Sequence, residues 1–315
     1  MTSPLVGLVG NARNCWPTAA QHADLRPSVW RSIVYDNDSY DRAISALPSS
    51  VKHIALINGE HEAVGNSTDP VVYQRAVQTF AHRFQGRVWG VELWNEWDLL
   101  GIDATTIGQL VSAASPALKA ANMLRILGSV AGPNWQQALI NARNFVRAED
   151  FDWGAFHPYG QRIAAMGSPQ PGFDPGMRAS IERASALLGK PVAVTEFGAK
   201  IADYGGVERQ AEYVTEAYRE IRQLDSMQCP AACYFAWADG VGSPDEQGEN
   251  AFGLIAADGT YRPAVAAYQA LTTPPVEDRC ETYRVRLLNL EAYILTHPKK
   301  DMSRPEMLRI LRGAA

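Results

Sequence analysis

The 315-residue chain predicts an α/β fold of the (β/α)8 barrel type, and three observations carry the prediction. Short β-branched runs recur along the first 237 residues, and amphipathic segments with helix-start and helix-stop residues lie between them. The runs are continuously apolar rather than alternating, as suits strands covered on both faces of a parallel sheet. Strand followed by helix about eight times in one chain closes into such a barrel. A doubly wound open sheet accommodates the same alternation and is the competing architecture.

The strand candidates are LVGLV from Leu5, VWRSIVY from Val29, HIALI from His53, RVWGVELW from Arg87, LRIL from Leu124, DWGAFH from Asp152, PVAVTEF from Pro191 and AACYFAW from Ala231. Helical segments follow several of them. In DPVVYQRAVQTFAHRFQG, Asp69 caps, Pro70 takes the first helical position and Gly86 closes. DATTIGQLVSAASPALKAAN, with Pro116 inside it, NWQQALINARNFVRAED, DPGMRASIERASALLGK, GVERQAEYVTEAYREIRQL and RPAVAAYQALTT repeat the pattern. From Pro274 and Pro275 the register changes to two more helical stretches. The second starts at Ser303 with Glu306 in capping-box spacing and sets Met307, Leu308, Ile310 and Leu311 on one side. The expected organisation is a barrel over 1–274 and a short C-terminal helical appendage over 275–315, which packs on the barrel or serves self-association.

Composition narrows the function classes. A hydrophobic share of 46% and a charged share of 20% suit an ordinary globular chain with one large core. A net charge of -5 argues against a nucleic-acid partner, because polyanion binding needs clustered Lys and Arg. The start MTSPLVGLVG lacks a basic, then apolar leader, and no run of about 18 apolar residues occurs, so the expectation is a cytoplasmic protein with no membrane partner. The cysteines at 15, 229, 233 and 280 are too few for a disulfide scaffold. CPAAC has one residue too many for the redox C-x-x-C spacing, and a Cys229–Cys233 bridge stays open.

A barrel works from the C-terminal ends of its strands. The fourth strand run delivers Asn95 and Glu96 there, the seventh Thr195 and Glu196, and the sixth His157 and Tyr159. Two glutamates facing one another across a barrel mouth meet the need of glycosidic bond cleavage, where one carboxylic acid protonates the leaving oxygen and one carboxylate attacks the anomeric carbon. For each glutamate alone, a helix-entry or strand-end structural role is the plain alternative.

These motifs resemble a known group of enzymes. LWNEWD at 93–98 with VTEFG at 194–198 is similar to the clan of retaining (β/α)8 glycosidases that includes cellulases, mannanases, β-xylosidases and α-L-iduronidases. The resemblance implies Glu96 as acid/base, Glu196 as nucleophile and Asn95 as partner of the sugar 2-hydroxyl. FHPYG at 156–160, Trp237 and Arg31 resemble further positions of that clan, and so does FGLIAADGTYRPAVAAYQAL after the last strand. Trp97 departs from it, because many members carry proline there. Physically, Trp94 or Trp97 is expected to raise the Glu96 pKa by desolvation, while Arg31, His157 or Tyr159 keeps Glu196 ionised.

Flat indole faces stack on sugars, so Trp16, Trp97, Trp135 and Trp237, which follow strand ends, are candidate platforms as well as candidates for plain packing. Trp30, Trp89 and Trp153 sit at strand starts and read as packing. Glu60, His61 and Glu62 either meet sugar hydroxyls or form a solvated loop. No cofactor or metal is expected: HEAVG lacks the second histidine of a zinc motif, and the nucleotide and serine-hydrolase fingerprints are missing. The expected partner is an oligo- or polysaccharide. The rival readings are a non-catalytic carbohydrate-binding barrel or assembly subunit, and a transglycosylase using the same covalent intermediate.

Overall fold

The computed structural model describes residues 3–11, 13, 15–159, 176–241 and 251–272. The expected C-terminal appendage therefore lies outside the described residues. Eight parallel strands close into a barrel in chain order, with the first hydrogen-bonded to the last, so the open-sheet alternative falls away. The strands are β1 (Leu5–Asn11), β2 (Val29–Ile33), β3 (Lys52–Ile57), β4 (Gly90–Leu93), β5 (Leu124–Val130), β6 (Trp153–Phe156), β7 (Val192–Phe197) and β8 (Ala231–Tyr234).

The helices are α1 (Ala19–Leu25), α2 (Asn37–Ser45), α3 (Pro70–Phe84), α4 (Ala104–Ala120), α5 (Trp135–Phe145), α6 (Met177–Leu188), α7 (Ile201–Tyr204), α8 (Val207–Ile221) and α9 (Pro263–Thr272). Their starts follow local chemistry. Asp69 accepts from the Val71 amide with Pro70 at the first position of α3, and Asp103 caps α4 through Thr106. The same capping reveals two helices whose apolar stripe is too short to stand out in sequence. Thr18 and Gln21 form a reciprocal box at α1, and Asp36 caps α2 through Ser39. α4 runs through Pro116 without ending.

The core fills both sides of the barrel wall. Between wall and helices, Phe197 meets Tyr213 and Tyr218 of α8, and the Tyr218 hydroxyl donates to the Gly7 and Ala232 carbonyls. At the strand starts Trp89 and Trp153 pack edge to face, and Lys52 lies 4.4 Å above the Trp89 ring, in line with their expected packing role. Two irregularities in the barrel wall bear on its mouth. The β5–β6 register shifts between Leu127 and Val130, and the β7–β8 register between Val194 and Phe197. An extra residue in a strand re-aims neighbouring side chains, and here the shifted stretches carry Ser129 and the pair Thr195–Glu196.

Candidate active site

β4 leaves the barrel along a strained path. Trp94 has φ +86° and Glu96 φ +42°, left-handed values that cost a non-glycine residue of order 1–2 kcal/mol each. The neighbours hold this path in place. The Trp94 amide donates to the Ile57 carbonyl at 3.0 Å, and the Glu96 amide to Ser129 Oγ at 3.0 Å. The Glu96 carbonyl accepts from the Leu99 and Leu100 amides. Gly128 makes the approach of β5 feasible, because a Cβ there would meet the Leu93 and Trp94 carbonyl oxygens.

Arg31, fully buried on β2, organises the floor. Its Nε donates to Glu92 Oε2 at 2.5 Å, its Nη1 to Glu196 Oε1, and its Nη2 to Asn95 Oδ1 at 3.0 Å. Burial alone would loosen the guanidinium's proton. The charges and hydrogen bonds of Glu92 and Glu196 outweigh it and raise the pKa above the ordinary value. Asn95 Oδ1 also accepts from Ser129 Oγ at 3.2 Å, which fixes its amide end for end.

Glu196 receives a second donor, the Tyr159 hydroxyl, at 2.8 Å from Oε2. Burial, followed by the charges of Glu196 and Glu96, drives the Tyr159 pKa well up, so it remains a phenol that donates. His157 completes the set. Its Nδ1 lies 2.8 Å from Glu96 Oε1 and 3.8 Å from Glu196 Oε2, and its Nε2 lies 3.0 Å from Thr195 Oγ1. One oxygen each of Glu96 and Glu196, together with a His157 nitrogen, fall within 4.8 Å of one another. Such a trio has ligand types suited to a metal ion, but Arg31 already balances Glu196.

The expected origin of acidity at Glu96 needs correction. Burial does push its carboxyl upward, but the hydrogen bond and charge of His157, helped by Arg31, bring the pKa below the ordinary value. For His157 burial disfavours the charged ring, while the charges of Glu196 and Glu96 and the hydrogen bond to Glu96 raise the pKa above 6.5. In the resting site the proton near Glu96 is therefore drawn toward His157 Nδ1. The indoles expected to desolvate Glu96 are engaged elsewhere: Trp94 packs on Tyr73 of α3, with ring centroids 5.6 Å apart.

The platform expectation is corrected for three tryptophans. Trp97, only 3% exposed, donates its Nε1–H to the Gly128 carbonyl; Trp135, 4% exposed, packs on Phe156; Trp237, 5% exposed, tilts against Trp30 and donates to the Cys15 carbonyl. They are walls rather than open faces. Trp16 is half-buried against the core and keeps an accessible part. In the Glu60–Glu62 loop only His61 is buried, accepting from the Ala63 amide. Cys229 and Cys233 are free, buried thiols, so the bridge between them does not form.

The structure adds residues that sequence reasoning missed. Glu92 and Ser129 belong to the hydrogen-bonded floor, joined there by Thr195, which the sequence placed at the rim without a role, and Phe235 and Phe252 flank Tyr159 at centroid distances of 6.4 and 5.9 Å. Glu92 had a signal: a charge inside an otherwise apolar strand run needs a buried partner, and Arg31 in β2 is the matching anomaly.

No protein-family model matches this chain, and no curated protein matches its sequence. Solved structures do match in fold. A GH128 (subgroup II) endo-beta-1,3-glucanase from Sorangium cellulosum superposes with TM-score 0.61 at 15% identity, covering 84% of this chain and 98% of that one. A monomeric beta-xylosidase from Caulobacter crescentus gives 0.64 at 19% identity over 86% and 69% of the two chains. A family 39 glycoside hydrolase from the gut symbiont Bacteroides cellulosilyticus gives 0.63 at 18% identity over 86% and 64%. At these identities the likeness is one of fold, and the shared fold is the closed parallel (β/α)8 barrel.

Proposed function

We propose that the chain is a retaining glycoside hydrolase acting on a β-linked oligo- or polysaccharide. The observation that carries this reading is the convergence of Glu96 and Glu196, from the ends of β4 and β7, to within 4.8 Å oxygen to oxygen. Carboxyl groups about 5–5.5 Å apart suit a covalent glycosyl-enzyme, whereas about 6.5–9.5 Å would leave space for an inverting water. The neighbours' names, endo-beta-1,3-glucanase and beta-xylosidase, favour the β-linkage.

In this reading Glu196 attacks the anomeric carbon and forms an ester as the glycosidic bond breaks. Arg31 and Tyr159 aim its two oxygens. The proton held between His157 Nδ1 and Glu96 Oε1 passes through Glu96 to the leaving oxygen. Glu96, now a carboxylate, takes a proton from water as that water opens the ester. Asn95, locked by Arg31 and Ser129, presents its amide N–H to a sugar hydroxyl, a contact that strengthens as the oxocarbenium-like transition state forms.

The test is inactivation with 2-deoxy-2-fluoroglycosides of several β-sugars, followed by peptide mass spectrometry. A stoichiometric label on Glu196 is expected. A label on another residue would overturn the assignment, and sugar binding with no turnover of any glycan would favour a binding barrel.

A further inference from the structure

Glu92 lies in the middle of the β4 run, fully buried, and neither glutamate assigned to chemistry touches it directly. Its two oxygens face different halves of the site. Oε2 accepts from Arg31 Nε at 2.5 Å, and Oε1 accepts from the Thr195 hydroxyl at 3.2 Å. We infer that Glu92 is the positioning residue of the site: it orients Arg31 directly and, through Thr195, sets which nitrogen of His157 faces Glu96 as the proton-exchanging atom. The inference rests on the glycosidase reading for its catalytic meaning, but the hydrogen-bond logic stands on its own.

That logic counts protons. The Thr195 hydroxyl carries one hydrogen and can give it to one acceptor. A carboxylate paired with Arg31 only accepts, so the Thr195 hydrogen points to Glu92. Thr195 then offers a lone pair to His157 Nε2 at 3.0 Å, and Nε2 must carry the hydrogen in that contact. The ring nitrogen left to gain or lose a proton is Nδ1, the one 2.8 Å from Glu96. Among the described residues the charged and titratable groups facing His157 come from four elements, the three glutamates being acidic and Arg31 alone opposing a charged ring. Glu92 and Glu96 come from β4 and its exit, Thr195 and Glu196 from β7, Arg31 from β2, and Tyr159 from the turn after β6.

On the Arg31 side, the Nε–Glu92 contact holds the guanidinium plane so that Nη1 and Nη2 reach Glu196 and Asn95. A fork-shaped donor fixed by one carboxylate can aim its remaining N–H groups at two further acceptors without loss of geometry. One residue thus couples the aim of the nucleophile to the protonation geometry of the acid.

The substitution Glu92→Gln tests this. Arg31 Nε–H still demands an acceptor, so the amide oxygen turns to Arg31 and the NH2 group to Thr195. Thr195 then accepts from the amide, and its own hydrogen, released from residue 92, is free to turn to His157 Nε2, which reverses the chain. With histidine labelled in 15N and the signal assigned by His157→Gln, the neutral wild-type ring should show the Nε2–H form. Glu92→Gln should show the Nδ1–H form, and the His157 titration midpoint should fall by about one pH unit or more, because protonating Nε2 must now displace the Thr195 hydrogen turned toward it.

Thr195→Val removes the relay while leaving the Arg31–Glu92 pair intact. It should shift His157 the same way, and an unchanged His157 in this variant overturns the relay even if Glu92→Gln does not fold. Unchanged His157 nitrogen shifts and midpoint in a folded Glu92→Gln or Thr195→Val protein would overturn the inference. If wild-type protein turns over a glycoside, the alkaline limb of kcat/KM should move down with the His157 midpoint in both variants. A wild-type protein that hydrolyses nothing, yet shows the tautomer switch, fails the glycosidase reading and leaves the role of Glu92 in the network standing.

Discussion

Replacing Arg31 with methionine removes the only guanidinium that touches Glu92 and Glu196 among the described residues while roughly keeping side-chain length. The arginine and Glu92 are fully buried, and Glu196 is nearly so. Removing one partner of a buried ion pair typically costs about 3–5 kcal/mol, because the other charge stays desolvated without compensation. Here two carboxylates are left at once. Glu92 keeps only the Thr195 hydroxyl among its direct donors, while Glu196 keeps Tyr159. The expected loss for Arg31→Met at neutral pH is therefore about 4 kcal/mol.

Glu92→Gln in the same background removes one of the stranded charges, so the double variant should recover about 1–2 kcal/mol relative to Arg31→Met. Urea unfolding at pH 7, followed by circular dichroism and tryptophan fluorescence, measures wild type, both single variants and the double variant. An Arg31→Met protein within about 1 kcal/mol of wild type, or a double variant whose losses simply add, would refute the claim that this pair carries buried, uncompensated charge.

Three further outcomes are expected. Glu96→Ala should cripple turnover of glycosides with poor leaving groups while sparing aryl glycosides with acidic phenols in the first step, since only the former need the proton; equal losses across a leaving-group series would exclude Glu96 as the acid. His53, whose Nδ1 has no hydrogen-bond partner among the described residues, is pushed by burial from 6.5 to about 4, with His22 and Arg87 adding to the effect. The folded-state value lies below the unfolded one, so stability is full above about pH 6.5 and declines as pH falls toward 4 by about 3 kcal/mol at most; the pH dependence of urea midpoints should flatten over that window in His53→Phe. Gly128→Ala should cost about 1–3 kcal/mol by driving a methyl group into the carbonyls of Leu93 and Trp94, and because that contact supports the exit of β4, activity should fall further than the melting temperature alone would suggest.

The barrel was legible in the chain because its signals are local: apolar runs of strand length, Asp69 before Pro70, Asp103 before its helix. The two glutamates, His157, Tyr159, Asn95 and Arg31 were also legible, since a closed parallel barrel sends every strand's C-terminal end to one rim, and knowing which run is a strand is enough to gather them there. Tryptophan roles were not legible. Whether an indole after a strand end faces the opening or the wall depends on the backbone turn beyond it, and the carbonyls of Gly128 and Cys15 captured the N–H groups of Trp97 and Trp237.

Acidity was misjudged for a related reason. A run of neighbouring tryptophans suggests an apolar pocket for Glu96, but the pKa depends on groups within about 4 Å in space, and His157 arrives there from 61 positions along the chain. The eightfold alternation, and with it the set of residues able to reach the barrel mouth, is written in the order of amino acids, because periodicity and capping are properties of neighbours in the chain. How the carboxylates pair, through Arg31 and the Glu92–Thr195–His157 chain, arises only on folding, because hydrogen-bond direction is set by distances between strands that no local pattern encodes.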